Sequence, residues 1–295
     1  MIKRTLYFGN EAYLSTQKQR LVVRYPHSEE VKTVPIEDIG IVLLDHYRLT
    51  VTSALLNALL GNNVAVISCD AQHLPLGMFL NLNGHTLQQE HFAHQIAVTQ
   101  AKKDRLWKQL IQAKIANQAS LLLRNDHISP KLNRLSKSVK NGDPDNFEAQ
   151  AASYYWKNIF KDIPFTRERY GEAPNGLLNY GYTLLRGVVA RALVGSGLLP
   201  TFGIHHHNKY NAYCLADDVM EPYRPFVDGL VLSLVEQGRK ELNQESKQWL
   251  LKIPVLDVQI NDQKSPLMLA VQQTTASLQQ CYAGHRTSLK LPSFV

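Results

Sequence analysis

Apolar residues in the first eighty positions come in short runs broken by polar turns. Residues 5–8, 12–14 and 21–25 read as strands, separated by Gly9-Asn10 and the polar stretch 15–19. Residues 39–44 and 64–68 are continuously apolar and predict buried strands. Between them Leu55, Leu56, Leu59 and Leu60 fall at helical spacing, and Gly61-Asn62-Asn63 ends that helix. From about position 87 the period lengthens. Trp107, Ile111 and Ile115 recur every fourth residue, with Leu106 and Leu110 beside them. Asn141-Gly142 closes a helical stretch, and Asp143-Pro144 predicts the next start, with Asp as N-cap and Pro at the first helical position. Further helices are expected at 177–193, 226–242 and 266–283, the last capped by Ser265 and stopped by Gly284. Residues 255–260 alternate and predict a short extended piece. The pattern is that of an α+β chain. A small β-rich N-terminal domain (1–76) leads through a Pro-, Gly- and Asn-containing linker (77–86) to a larger all-α domain (87–295).

Charge changes this picture. The 295-residue chain carries a net charge of +7, which favours an anionic partner, nucleic acid first and an anionic membrane surface second. Lys102, Arg105 and Lys108 recur every third residue on the side opposite the apolar stripe, and Lys131, Arg134, Lys137 and Lys140 repeat the rule. One such stripe is ordinarily a solvated helix face; two in a basic chain point to a surface that tracks phosphates. No apolar stretch reaches membrane-spanning length and the first residues lack a signal-peptide core, so a cytoplasmic protein is expected. Cys69, Cys214 and Cys281 have neither zinc-site nor disulfide spacing and read as small core residues.

Candidate chemistry lies in three places. Glu148 shares a helical face with Ala152 and Tyr155, where a carboxylate needs a cation, a metal or several donors. The run 203–228 sets His205, His206 and His207 a short loop from Asp217, Asp218 and Glu221. Adjacent histidines point different ways, so one of the three is expected to be a ligand. Asp218 and Glu221 lie one helical turn apart, although Pro222 biases Glu221 toward a kink or the mouth of a new helix. Arg224 could pair with either acid or bind a phosphate. One Glu, one His and one further acid suit a single divalent ion such as Mg²⁺ or Mn²⁺, with open positions for water and a phosphate oxygen. Asn179 and Tyr180 could support that site or touch DNA, whereas Gly181 reads as a point of close helix packing.

Four stretches resemble the CRISPR-associated spacer-acquisition integrase family, the metal-dependent adaptation nucleases: 34–42; Glu148 with its Ala and Tyr-Tyr-Trp neighbours; 178–185; and 197–206 followed by 215–225. They follow the family's order over nearly the whole chain, the fourth is the most specific, and the Met-Glu-Pro-Tyr-Arg-Pro form is closest to members from type II systems. The resemblance implies metal ligands and catalytic residues at Glu148, His206 (the Gly-x-x-His position, with His205 one residue off) and Glu221, with Asp218 as helper. It implies transesterification, in which the 3′-hydroxyl ends of a short double-stranded DNA fragment attack CRISPR repeat DNA so that the fragment becomes a new spacer. It also implies a homodimer, formed through the N-terminal domain, that assembles with a small ferredoxin-like adaptation subunit. Two rival expectations are a DNA-binding assembly scaffold with a degenerate metal site and a metallohydrolase of small phosphate esters, which leaves the paired basic stripes unexplained.

Overall fold

The alternating N-terminal runs form eight short strands and one helix. In chain order these are β1 (Arg4–Phe8), β2 (Ala12–Gln17), β3 (Arg20–Arg24), β4 (Val31–Pro35), β5 (Ile39–Leu44), β6 (Leu49–Val51), α1 (Ser53–Gly61), β7 (Ala65–Cys69) and β8 (Pro75–Phe79). The computed structural model describes every residue except Met1 and Asp162 and divides into two units, Met1–Thr86 and Leu87–Val295. In the first unit one sheet runs β1-β5-β7-β8 and the other β4-β3-β2-β6. β1, β5 and β7 are parallel, which is why β5 and the core of β7 are apolar without alternation. The β2–β3 hairpin turns at Lys18 and Gln19, both with positive φ, the geometry of a tight two-residue turn. Leu14, Leu21, Val23, Ile39, Val42, Leu55, Leu59 and Val66 belong to the core between these elements.

Residues 77–79, assigned from sequence to the linker, belong to this unit: they complete β8, which pairs antiparallel with β7. Pro75 opens that edge strand, where its missing N–H costs nothing, and Gly77 sits against Ser68, where a Cβ would meet Oγ at 2.9 Å.

The second unit is helical: α2 (Gln88–Ile96), α3 (Gln100–Arg124), α4 (Pro130–Ser138), α5 (Phe147–Ile159), α6 (Asn175–Gly195), α7 (Cys214–Met220), α8 (Arg224–Glu236), α9 (Gln244–Leu250) and α10 (Leu267–Tyr282). It also carries a hairpin: β9 (Asp257–Ile260) falls within the extended piece expected at 255–260, while its partner β10 (Gln263–Pro266) was not expected in an all-α domain; the turn is at Asn261 and Asp262, both with positive φ. Ser265 therefore lies in β10, and Pro266 rather than Ser265 precedes α10. α8 stops at Glu236, before the expected 242.

α5 starts at Phe147, later than Asp143-Pro144 suggested. Asn146 is its N-cap, in a left-handed conformation, and accepts from Ala149 N. Asp143 still serves the helix start: its two carboxylate oxygens accept from Phe147 N and Glu148 N, each at 2.9 Å. α3 and α6 are the two long central helices. α3 packs on α4, α5 and α8, while α6 packs on α7, α8, α9 and α10. Gly181 fits the close-packing reading, since a Cβ there would meet Val227 Cγ1 on α8 at 2.6 Å. Cys214 and Cys281 are buried, Cys69 is half-buried, and all three are free thiols. Among the described residues no helix is long and apolar enough to cross a membrane.

Candidate active site

The two predicted glutamates meet on a lysine that the sequence reading passed over. Lys114, on the buried side of α3, places Nζ 2.6 Å from Glu148 Oε1 on α5 and 2.6 Å from Glu221 Oε2. The Glu148 contact is a hydrogen bond. The approach to Glu221 Oε2 lies outside hydrogen-bond geometry, so that oxygen is buried in an ion pair yet accepts no hydrogen bond. The other oxygen, Oε1, accepts from Arg224 Nε at 2.8 Å. Burial alone would push Lys114 down, but Glu221 and Glu148 together hold it above the ordinary lysine value. For Glu221, burial would raise the carboxyl; Arg224 and Lys114 outweigh it and bring it down to about 2.

Glu221 owes its position to a change of helix type. It keeps right-handed helical angles (φ −51°, ψ −48°) despite Pro222, and opens a 3-10 turn, Glu221–Tyr223, that joins α7 to α8. Asn117 of α3 pins that turn by donating to Pro222 O at 2.8 Å. The expected kink is therefore a tightened helical turn that swings Glu221 onto the buried face of α3.

The histidine loop is built around Asp218, whose side chain is wholly buried. Its Oδ2 accepts from Ile204 N (2.6 Å) and His205 N (2.9 Å). Its Oδ1 takes His206 N (3.2 Å) and His206 Nδ1 (2.5 Å). This wrapping demands glycine at 203, where a Cβ would lie 2.1 Å from His206 O and 2.9 Å from Asp218 Oδ2. The hydrogen bond that the His206 ring makes to Asp218 raises the His206 pKa, burial opposes it, and the charges of Asp218, Glu221 and Asp217 add to the rise. With Nδ1 held by Asp218, Nε2 is the ring nitrogen that remains, the arrangement by which carboxylates orient metal-binding imidazoles. His205 is disposed differently: its ring stacks on Trp107 at 4.2 Å between centroids and 3° between planes. The exposed His207 turns Nδ1 back to His205 O. Asp217 pairs with Arg186 (2.7 Å) and takes Asn211 Nδ2.

Among the described residues, no three His, Cys, Asp or Glu side chains stand close enough as placed to hold one ion. The donor set nevertheless fits a hard divalent cation. Two carboxylates converge, one of their buried oxygens lacks a hydrogen bond, and a carboxylate-oriented imidazole belongs to the same unit. An ammonium group stands between the two carboxylates in the structure.

The remaining candidates separate by environment. Asn179 does not reach the carboxylates; it donates to Arg169 O and accepts from Arg167 Nη2 at 2.7 Å. Arg224 is taken up by Glu221 and lies over Tyr182, 4.6 Å from its centroid. Lys102 is tied to the end of α10, donating to Cys281 O and Tyr282 O. Arg105 is exposed and Lys108 half-buried. On α4, Lys131, Arg134 and Lys137 are exposed, with Lys131 over Tyr154; Lys140 pairs with Asp145.

Sequence reasoning missed Lys114, Arg167, Asp228 and Gln118. Lys114 was visible in principle, because it interrupts the apolar seam of Trp107, Ile111 and Ile115 on α3, where a lone cation needs an acid.

Comparison with known proteins fits this geometry. The family described as "CRISPR associated protein Cas1" matches residues 6–254. The CRISPR-associated endonuclease Cas1 of Neisseria meningitidis serogroup C (strain 8013) is 34% identical over 300 residues, covering 100% of this chain and 97% of the relative. The chain belongs to the Cas1 family. Among solved structures, a casposase bound to integration product superposes with a TM-score of 0.79 at 20% identity, covering 98% of this chain and 92% of that one. A Cas6-RT-Cas1–Cas2 complex gives 0.76 at 18% identity, covering 97% of this chain and 35% of that one. The α+β arrangement of a β-rich N-terminal unit followed by a helical one is thus the fold shared with Cas1 proteins.

Proposed function

We propose that this Cas1-family chain is a CRISPR adaptation integrase, a metal-dependent DNA endonuclease and transesterase. It joins the 3′-hydroxyl ends of short double-stranded fragments into CRISPR repeat DNA. The observation that carries the reading is the convergence of Glu148 and Glu221, from separate helical segments, on one buried cationic nitrogen. Glu148, Glu221 and His206 through Nε2 would hold one Mg²⁺ or Mn²⁺, and binding would displace Lys114 from between the carboxylates. Such an ion supplies Lewis-acid stabilisation of charge on phosphate and departing oxygens.

The chain's own groups do the rest. Asp218 fixes the His206 ring and the backbone of 204–206. Arg224 anchors one oxygen of Glu221 so that the other faces Lys114. With Nδ1 engaged by Asp218, His206 has only Nε2 to offer an ion, and because Asp218 raises its pKa, protonation there would compete with the metal. The exposed cations of α4 and Arg105 would follow the duplex by its phosphates, without reading sequence. Joining at both ends of a fragment needs two such sites, which fits a homodimer formed through the N-terminal unit and working in the cytoplasm. A small ferredoxin-like subunit would bridge the copies.

The test is strand joining of a short 3′-hydroxyl duplex to a repeat-containing supercoiled plasmid. Joining should require Mn²⁺ or Mg²⁺ and vanish in Glu148→Ala, His206→Ala and Glu221→Ala proteins. DNA binding that persists in EDTA, with no joining under Mn²⁺, would instead identify an assembly scaffold.

A further inference from the structure

A cavity of about 170 Å³ opens beside Glu221. Its wall includes Lys114, Gln118, Trp156, Arg167, Arg224 and Asp228. At roughly 30 Å³ per water, it has room for about half a dozen waters, a space suited to a phosphate group with its oxygens but too small for a stretch of duplex.

The charges on the wall are not equally engaged. Lys114 and Arg224 are taken up by Glu148 and Glu221. Asp228 accepts from Tyr155 (2.8 Å) and Tyr182 (2.5 Å), one at each oxygen. Arg167 has no acid within ion-pair distance among the described residues. It is held instead by neutral groups: Nη1 donates to Glu168 O and Asn175 Oδ1, and Nη2 to Asn179 Oδ1. Those contacts, with Tyr182 beneath the guanidinium, fix an arginine in place without neutralising it. Gln118 is buried and lines the same cavity, and its Oε1, an acceptor, has no hydrogen-bond partner. That open acceptor suits a water or another donor, so the anion-binding character of the cavity rests on the positioned, unpaired guanidinium.

We propose that this cavity is a phosphate subsite, in which Arg167 receives the oxygens of a DNA phosphodiester next to the reacting one. Glu168 O, Asn175 and Asn179 take three of its five N–H groups, and the remaining two can meet phosphate oxygens. Asn175 and Asn179 are then positioning residues: they aim Arg167 and do not touch DNA. The proposal rests on the integrase reading for the identity of the ligand and on the cavity itself for its location.

The experiment replaces one backbone phosphate at a time, near the 3′ end of a fluorescent oligonucleotide, with a neutral methylphosphonate. Binding to the full chain is measured by anisotropy, and strand joining is measured in parallel. In the native protein one linkage should stand out, its neutralisation weakening binding and joining by at least about tenfold. In Arg167→Gln protein the same replacement should cost less than about twofold, with Arg167→Lys in between, while Mn²⁺ binding stays unchanged. Asn179→Ala, which leaves the cation in place but frees Nη2, should show a smaller loss of discrimination at that linkage and carries the test if Arg167→Gln does not fold.

Equal sensitivity to every linkage in native and variant proteins overturns the subsite. So does coupling of Arg167 to an abasic replacement rather than to a phosphate, which would make the occupant a base. Failure of all joining by the native protein would defeat the integrase reading, while the binding comparison would still decide the subsite.

Discussion

Glu221 and Asp228 are both buried and both line the cavity, yet they are stabilised in opposite ways. Glu221 faces Lys114 and Arg224, and its carboxyl is brought down to about 2. Asp228 faces the hydroxyls of Tyr155 and Tyr182, burial prevails over those hydrogen bonds, and its carboxyl is pushed up to about 6. Burial is common to both, so it is the neighbour that decides whether a hidden acid is a permanent anion or a group that takes up a proton near neutrality. The anion is placed where a metal would be held; the protonatable acid braces two aromatic residues from α5 and α6.

The strongest way to break this contrast is to remove the cation shared by the acids. In Lys114→Met protein Glu148 and Glu221 lose their common partner, and metal-free stability should fall by about 3–5 kcal/mol in urea unfolding. Saturating Mn²⁺ should recover much of the loss; equal stability of native and variant chains without metal would refute the arrangement.

Next in size is the pH response of Asp228. Its folded-state pKa is raised, so its stabilising contribution is full below the ordinary value of 3.8 and is lost as pH rises through about 6. Against Asp228→Asn protein, the native chain should lose about 2 kcal/mol of relative stability between pH 4 and 7. A difference that stays flat across that window would place Asp228 with Glu221 as a standing anion.

A third acid sharpens the comparison. Asp218 accepts at both oxygens, so Asp218→Asn turns an NH₂ donor toward N–H groups, which should loosen the 204–206 backbone and His206 with it. Mn²⁺ affinity, read by calorimetry, should drop about 10–100-fold.

The smallest effects belong to charges that face water. Arg134→Gln with Lys137→Gln should change stability by no more than about 0.5 kcal/mol. It should also flatten the dependence of DNA affinity on salt by up to about two in log–log slope.

Much of this was readable before any coordinates. Leu55 and Leu59 placed α1, and the apolar run at 39–44 placed β5, because period and composition are local properties. The carboxylates at 148 and 221 and the histidines at 205–207 also stood out as candidate chemistry, because such groups beside apolar neighbours need explaining wherever they fold; the choice of His206 came from the family resemblance. What escaped depended on partners distant in sequence. Gly77, Met78 and Phe79 look like linker until β7 supplies hydrogen bonds. Asp143 looks like an N-cap until Asn146 takes that position and leaves Asp143 to reach two N–H groups beyond it. Arg167 looks like any loop arginine, since the asparagines that aim it come from α6. Lys114 was hidden by habit: a cation among cations on α3 reads as surface until two acids from elsewhere arrive beside it.

That lysine also bears on how the protein is made. Small zinc modules stay unstructured until their metal arrives, because nothing else offsets the repulsion and strain of gathering the ligands. Here the polypeptide brings its own counter-charge to the crowded acids, so on the proposed reading the fold would not wait for an ion. The metal would be a late instruction to act, delivered to a finished scaffold.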